Sequence, residues 1–404
     1  MPGGGERYVG ALARGLVASG QRVTVVTGAA VRESQFWEGA PVGIEAREER
    51  LTLLRLPIRR FPGGRRGLML YRKAMVLLSA APGNHVGALM ALARRVPSIV
   101  GFDDILPELV DKASPDVIHA FNVSWEAALV AAYSAACGTA WPLVVTPFAH
   151  LGAGFDDRVA RNSTMQHQRQ IMRDAARVLV LTDVERDGLA VYGVPAEKIA
   201  VIGGGVDPLP DDFTFSPFWP AAGRPWPEPY AVFVGRLSYD KGAIHAARAI
   251  LRLPGRAIAL IGSATPEFER FYAGLSADER ARVRPLGLLS EADKHAVVAR
   301  AGCLLLPSRS DSFGIVLLEA WAHGRPVVAA RAGGIPGVVD DGVNGLLVPF
   351  GDVAALETAT ERLLSDGNYA GQLGENGRRK VGQEYNWDAV TERVLSHYRA
   401  IVRS

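Results

Sequence analysis

The sequence predicts an α/β protein built from two doubly wound parallel-sheet domains, both Rossmann-like. Three observations carry this expectation. Short apolar runs of strand type alternate with helix-period patterns along the chain, the signature of parallel strands joined by crossover helices. A length of 404 residues exceeds one ordinary domain and suits two of about 200. An aperiodic stretch at 208–229, rich in Pro, Gly, Phe and Trp, divides the strands into two sets and reads as a connection packed by its aromatics.

The first domain, 1–207, opens with Gly3-Gly4-Gly5-Glu6, then a helix over 7–19 and Gly20. Its strands fall at 22–27, 51–56, 116–119, 143–146, 178–181 and 200–202, each an apolar run bounded by turn residues. The second domain, 230–385, has strands at 230–234, 257–261, 283–286, 303–306, 326–330 and 346–348. Residues 386–404 form an amphipathic helix. In doubly wound sheets ligands bind outside the carboxyl ends of the strands. Two such sheets facing each other would share one cleft, and the site is expected there.

Composition excludes several function classes. An apolar content of 48% with 22% charged residues builds sizeable cores and argues against disorder. A net charge of +3 is too weak to imply nucleic acid. Cys137 and Cys303, the two cysteines, each lie in an apolar run, so they are expected as buried free thiols in a reducing compartment rather than a disulfide framework. Neither a transmembrane run nor an apolar leader segment is present, and the expected location is cytoplasmic. Between Arg55 and Lys73 lie seven basic residues and no acidic one, interleaved with Leu68, Met69, Leu70 and Tyr71. This segment fits peripheral contact with an anionic membrane, the lining of an acceptor pocket, or a solvated basic face.

The most informative stretch runs from Pro307 through Ser310-Asp311-Ser312-Phe313-Gly314-Ile315 to Leu317-Leu318-Glu319-Ala320. It reads as strand end, loop and helix start, with helix N-cap residue types at 310–312 and a helix from Ile315 to Trp321. Asp311 would sit among free backbone N–H groups and Glu319 more than a turn into the helix. Two carboxylates spread over about 12 Å or less suit an elongated ligand with a diphosphate at its middle better than one shared metal ion. A capping carboxylate with a Glu on the helix face is also ordinary architecture. Upstream, Phe233-Val234-Gly235-Arg236-Leu237 ends a strand and Lys241-Gly242 opens the next helix. Arg236 can grip phosphate oxygens with a planar fork, and Lys241 adds a compact charge. Gly3 and Gly4 before a helix would let backbone approach a phosphate closely, or would simply make a turn.

Taken in order, Ser308-x-x-Asp311-x-Phe313-Gly314, then Glu319-Ala320-x-Ala322-x-Gly324-x-Pro326-Val327-Val328, Gly333-Gly334 and Asn344-Gly345-Leu346-Leu347-Val348 closely resemble the nucleotide-sugar-binding half of the family-4 retaining glycosyltransferases, which have the GT-B fold. The resemblance is specific over 232–348 and looser before 116. It implies a nucleotide-sugar donor (UDP or GDP), a glycan, lipid-linked or small-molecule acceptor, no metal and no other cofactor. Absence of any Asp-x-Asp motif fits that. By resemblance, Glu319 meets the ribose hydroxyls and Asp311 the donor sugar. Phe313, Gly314 and Ile315 line the sugar, diphosphate or ribose, and Leu286 belongs to the base-cradling loop. His150 lies near the reacting carbon, and Gly3, Gly4, Arg236 and Lys241 hold the diphosphate. Asp311 departs from the Glu of the family and shortens the reach by roughly 1.5 Å. The family also has a strand before the glycine loop, and its terminal helix crosses back onto the first domain. His119 is expected as a second cleft-wall residue. Hydrolysis or 2-epimerisation of a nucleotide sugar, and a catalytically impaired sugar-nucleotide-binding protein, remain as alternatives.

Overall fold

The structure is a computed structural model that describes residues 4–30, 34–40, 44–95, 114–124, 126–151, 158–209, 228–309 and 311–402. Most of the connection at 208–229, together with Gly3 and Ser310, lies outside them. The chain divides into two compact units, one built on Gly203–Asn386 with His150, the other on the remaining N-terminal residues and Trp387–Ser404.

The N-terminal unit has seven described strands: β1 (Val23–Gly28), β2 (Ile44–Arg47), β3 (Leu51–Leu56), β4 (Ile118–Phe121), β5 (Leu143–Thr146), β6 (Arg177–Val180) and β7 (Ile199–Val201). They form two sheets, in the orders β1-β3-β2 and β4-β5-β6-β7. All neighbours are parallel except β2, which runs antiparallel to β3. β2 was not expected: its sequence Ile-Glu-Ala-Arg lacks the apolar run of a buried parallel strand, and an antiparallel edge does not need one. Helix Gly4–Ala18 begins earlier than the sequence suggests and takes Gly4 and Gly5 into its first turn. It packs against helix Trp387–Val402 at Gly15, where a Cβ would come within 2.2 Å of Thr391 Oγ1. Tyr8, 1% exposed, sets its ring edge-on to both Phe148 and Trp387 at 5.2 Å. Cys137 is exposed, against expectation, because helix Glu126–Cys137 ends there and the apolar run stops one residue later; Cys303 is buried as expected.

The second unit holds one six-stranded parallel sheet: β8 (Ala231–Val234), β9 (Ile258–Ile261), β10 (Val283–Gly287), β11 (Cys303–Leu306), β12 (Val327–Ala330) and β13 (Gly345–Val348). Its order is β10-β9-β8-β11-β12-β13. Strands such as Ala-Val-Phe-Val and Cys-Leu-Leu-Leu are buried along their whole length, because helices cover both faces of a doubly wound sheet. Helix Ala243–Arg252 contributes Ile244, Ala247 and Ile250 to the core beside Phe233, Leu260 and Leu305. Helix Ile315–Ala322 buries Trp321, whose Nε1 donates to the Asn344 carbonyl at 2.8 Å. The chain leaves β8 outward to β9 and β10, then returns to the other side of β8 as β11. This reversal opens a crevice at the carboxyl ends of β8 and β11.

Candidate functional site

The loops that follow β8 and β11 carry the expected site, and glycine brings them together. Gly242 caps helix Ala243–Arg252 at φ 81°, and a Cβ there would lie 2.0 Å from the Pro307 carbonyl oxygen. Only glycine supplies both the left-handed backbone and the room. The contact is tied further by Arg309 N donating to Asp240 O at 3.1 Å and by the Arg309–Asp240 ion pair at 3.0 Å. Lys241 thereby reaches across to Asp311, with Nζ 2.6 Å from Oδ1. From behind, Gly334 N donates to Asp311 O at 2.9 Å, and a Cβ on Gly333 would meet that same oxygen at 2.2 Å. The Gly333-Gly334 pair therefore serves as the seat of the Asp311 loop.

Burial pushes the Asp311 carboxyl up, but the Lys241 ammonium, its hydrogen bond and the nearby His150 outweigh it and hold the group below the ordinary carboxylate range. Ser308 also hydrogen-bonds the carboxylate, whose Oδ2 is buried. The site thus keeps an ionised acceptor next to a cation. Arg236 sits exposed at the end of β8. Leu286 is half-buried in β10, with Leu288 exposed just beyond it.

Helix Ile315–Ala322 starts differently from expectation. Its N-cap is Gly314 at φ 81° and ψ 60°, with no side-chain cap, rather than one of residues 310–312. Ile315 is the half-buried first residue of the helix. Phe313 is a core residue: 2% exposed, packed edge-on to Tyr385 at 5.5 Å and seated on Gly204, where a Cβ would come within 2.5 Å of the ring. Its side chain is spent on packing, so only its backbone can face a ligand. Gly204 gains a reason that the sequence did not show.

Glu319 is 1% exposed and ion-paired to Lys294, Nζ to Oε1 2.9 Å. Lys294, equally buried, also bonds Glu291 at 2.7 Å. A ribose hydroxyl can reach Glu319 only if neighbouring side chains shift. Lys294 was missed because a helical lysine reads as solvated. Its spacing from Val297, Val298 and Ala301 puts it on the apolar face of helix Glu291–Arg300, which was the available signal. Glu291, His295 and Glu319 bring ligand atoms within 4.8 Å of one another, the one group of metal-ligand type among the described residues. The Lys294 ammonium, bonded to both carboxylates, already supplies positive charge there.

His150 is half-buried and groups with the second unit, where it acts electrostatically on Asp311. The residue before it is fixed by Glu185, whose Oε1 accepts from Ala149 N at 2.6 Å and whose Oε2 accepts from Leu181 N at 2.8 Å. Burial raises the Glu185 carboxyl to about 7 despite those two amides. His119 departs from its expected role. Its two ring nitrogens are taken by Tyr398 at 2.5 Å and Thr146 at 2.8 Å, and burial lowers its pKa to about 3, as for a structural histidine. Gly4 lies in the helix of the N-terminal unit, and Gly3 lies outside the described residues. Lys241, Asp311 and His150 are therefore the predicted residues that the structure brings together.

The sequence profile for glycosyl transferases group 1 matches residues 220–380, and that for a glycosyl transferase 4-like domain matches residues 3–205. A D-inositol 3-phosphate glycosyltransferase of Mycobacterium avium is 34% identical over 245 residues, covering 58% of this chain and 57% of that protein. The match thus spans little more than half the length of that curated relative. Sucrose-phosphate synthase from Thermosynechococcus elongatus has a similar fold, with a TM-score of 0.75 at 22% identity over 100% of this chain and 94% of that one. HepE of Anabaena, solved with UDP and glucose, aligns at a TM-score of 0.62 and 20% identity over 85% of this chain and 98% of its own. The chain has the GT-B fold and belongs to the glycosyl transferases group 1, with a glycosyl transferase 4-like domain in its first half.

Proposed function

We propose that the protein is a retaining glycosyltransferase that moves a sugar from a UDP- or GDP-sugar to a glycan, lipid-linked or small-molecule acceptor. The observation that carries this reading is the Lys241–Asp311 pair at the carboxyl ends of β8 and β11, where the strand order reverses. Lysine has three N–H donors, and one is committed to Asp311; the others suit diphosphate oxygens. Arg236 adds a bidentate fork at the mouth of the same loop. Asp311, held ionised, accepts hydrogen bonds from sugar hydroxyls, and His150 stands beside it. Glu319 takes the ribose in this reading, with its Oε1 anchored by Lys294. The names of the relatives support a nucleotide-sugar donor and a small-molecule acceptor among the candidates.

In the reaction, the bond from the anomeric carbon to the phosphate oxygen breaks while an acceptor oxygen attacks that carbon on the same face. The acceptor's proton passes to the leaving phosphate oxygen. Arg236 and Lys241 stabilise the negative charge that develops on the diphosphate, so no divalent cation is required. Ligand binding to the folded state raises the melting temperature by mass action. A panel of UDP- and GDP-sugars in the presence of chelator should give a clear rise with at least one compound, lost in Arg236→Ala and Lys241→Ala. No rise with any of them contradicts donor binding, and a rise that needs manganese contradicts the metal-independent step.

A further inference from the structure

We propose that the outer face of helix Gly64–Ala80 is a docking surface for an anionic lipid bilayer. The helix has two apolar stripes. The inner one, Leu68, Tyr71 and Met75, is accounted for: Met75 is fully buried, and Leu68 and Tyr71 pack on the cluster of Leu56, Ile58 and Phe61. Tyr71 is pinned from below by its hydroxyl, which donates to Glu126 at 3.0 Å. The orientation of the helix is therefore fixed by the fold.

The outer stripe has no such account. Met69, Leu70 and Leu77 are 62%, 68% and 61% exposed, three of the ten large apolar side chains exposed among the described residues. Arg66 and Lys73 stand on the same stripe at the helical spacing 66, 69, 70, 73, 77, and Arg72 flanks it. All three are exposed, and none forms an ion pair with a described residue. The helix carries no acidic residue. The neighbouring helix Val86–Arg95 also exposes Leu92 and Arg94.

Solvent exposure of several large apolar groups in one patch marks an interaction surface. The ring of cations selects the partner. A basic amphipathic helix lying parallel to a bilayer puts its apolar groups into the headgroup–acyl boundary and its lysines and arginines against lipid phosphates. A protein groove that accepted the apolar groups would have to supply acidic residues at the same spacing, whereas an anionic bilayer offers both chemistries everywhere. Such docking would bring a lipid-linked acceptor to the protein. It involves none of the residues assigned to the donor.

The test is co-sedimentation of the full chain with vesicles of phosphatidylcholine alone and with vesicles that also contain phosphatidylglycerol. The expected result is binding to the second kind only, reversed by high salt. Met69→Glu/Leu70→Glu should lower it about tenfold or more. Arg66→Ser/Lys73→Ser should weaken it and flatten the salt dependence. Both variants change exposed side chains, so circular dichroism and the melting shift with nucleotide sugars should match wild type. Equal binding to both vesicles, no binding, or wild-type binding by the glutamate variant overturns the proposal. So does light scattering that shows the face covered by a second copy of the chain, with the dimer lost in the glutamate variant.

Discussion

The Gly203–Asn386 unit joins six strands into one sheet, whereas the described strands of the N-terminal unit fall into a three-stranded and a four-stranded sheet. β5 of the four-stranded sheet is buried throughout, so the strands that differ are those of the three-stranded sheet. β8, β9, β11 and β12 are buried along their whole length, whereas β1 and β3 are half-exposed at nearly every position. A continuous parallel sheet places its central strands under helices on both faces, and it holds the loops at their ends rigidly. That is where the Lys241–Asp311 pair lies. Positioning of the Lys241–Asp311 pair is thus a property of the six-stranded sheet.

The largest expected difference between the units is local stability. Amide hydrogens of β8, β11 and β12 should exchange slower than those of β1 by orders of magnitude, because only the former need global opening. Equal rates measured by mass spectrometry would remove the contrast. Next comes the buried pair of the second unit. Lys294→Met removes the ammonium that is ion-paired to the buried Glu319 carboxylate, at a cost of about 3–5 kcal/mol in denaturant unfolding. Lys294→Met/Glu319→Gln should recover most of that, and a double variant as unstable as the single one would show that the pair is not the cause.

Acid should separate the units by sign. Burial raises Glu185 to about 7 in the N-terminal unit, so its contribution to stability is complete below pH 4.5 and lost as pH rises toward 7. Asp311 is the reverse: its lowered pKa gives stability that is present above the ordinary carboxylate value and lost as pH falls below that value through the lowered folded pKa. Glu185→Gln should therefore flatten the stability profile between pH 4.5 and 7, by an amount of order 3 kcal/mol at most. Asp311→Asn should change it only at lower pH. Profiles that shift together would contradict these opposite environments.

Smaller effects test the close contacts. Gly242→Ala should cost about 1–2 kcal/mol for the left-handed backbone, more for the contact with Pro307, and should weaken donor binding through Lys241. Gly15→Ala should cost about 1–3 kcal/mol at Thr391 and leave donor binding intact. Melting curves with and without a nucleotide sugar separate the two outcomes.

The sequence was most legible where burial is uniform. Strands 51–56, 143–146 and 303–306 were placed to the residue because a short apolar run between turn residues has few alternatives. β2 escaped because an antiparallel edge strand tolerates Glu45 and Arg47. At the helix Ile315–Ala322, three residues with capping side chains drew attention from Gly314, which caps through its backbone alone. The Lys241–Asp311 contact joins residues 70 apart and depends on glycines at 242 and 333, whose close approaches are visible only once both loops are built. Residue types told which chemistry was present, and packing decided which of those groups meet.

Calorimetric titration of UDP- and GDP-sugars, with chelator present, tests most directly whether the loops after β8 and β11 hold the diphosphate. Lys241→Ala and Arg236→Ala should each weaken binding about tenfold or more, the loss expected for one charged hydrogen bond. Wild-type affinity in both variants would contradict it.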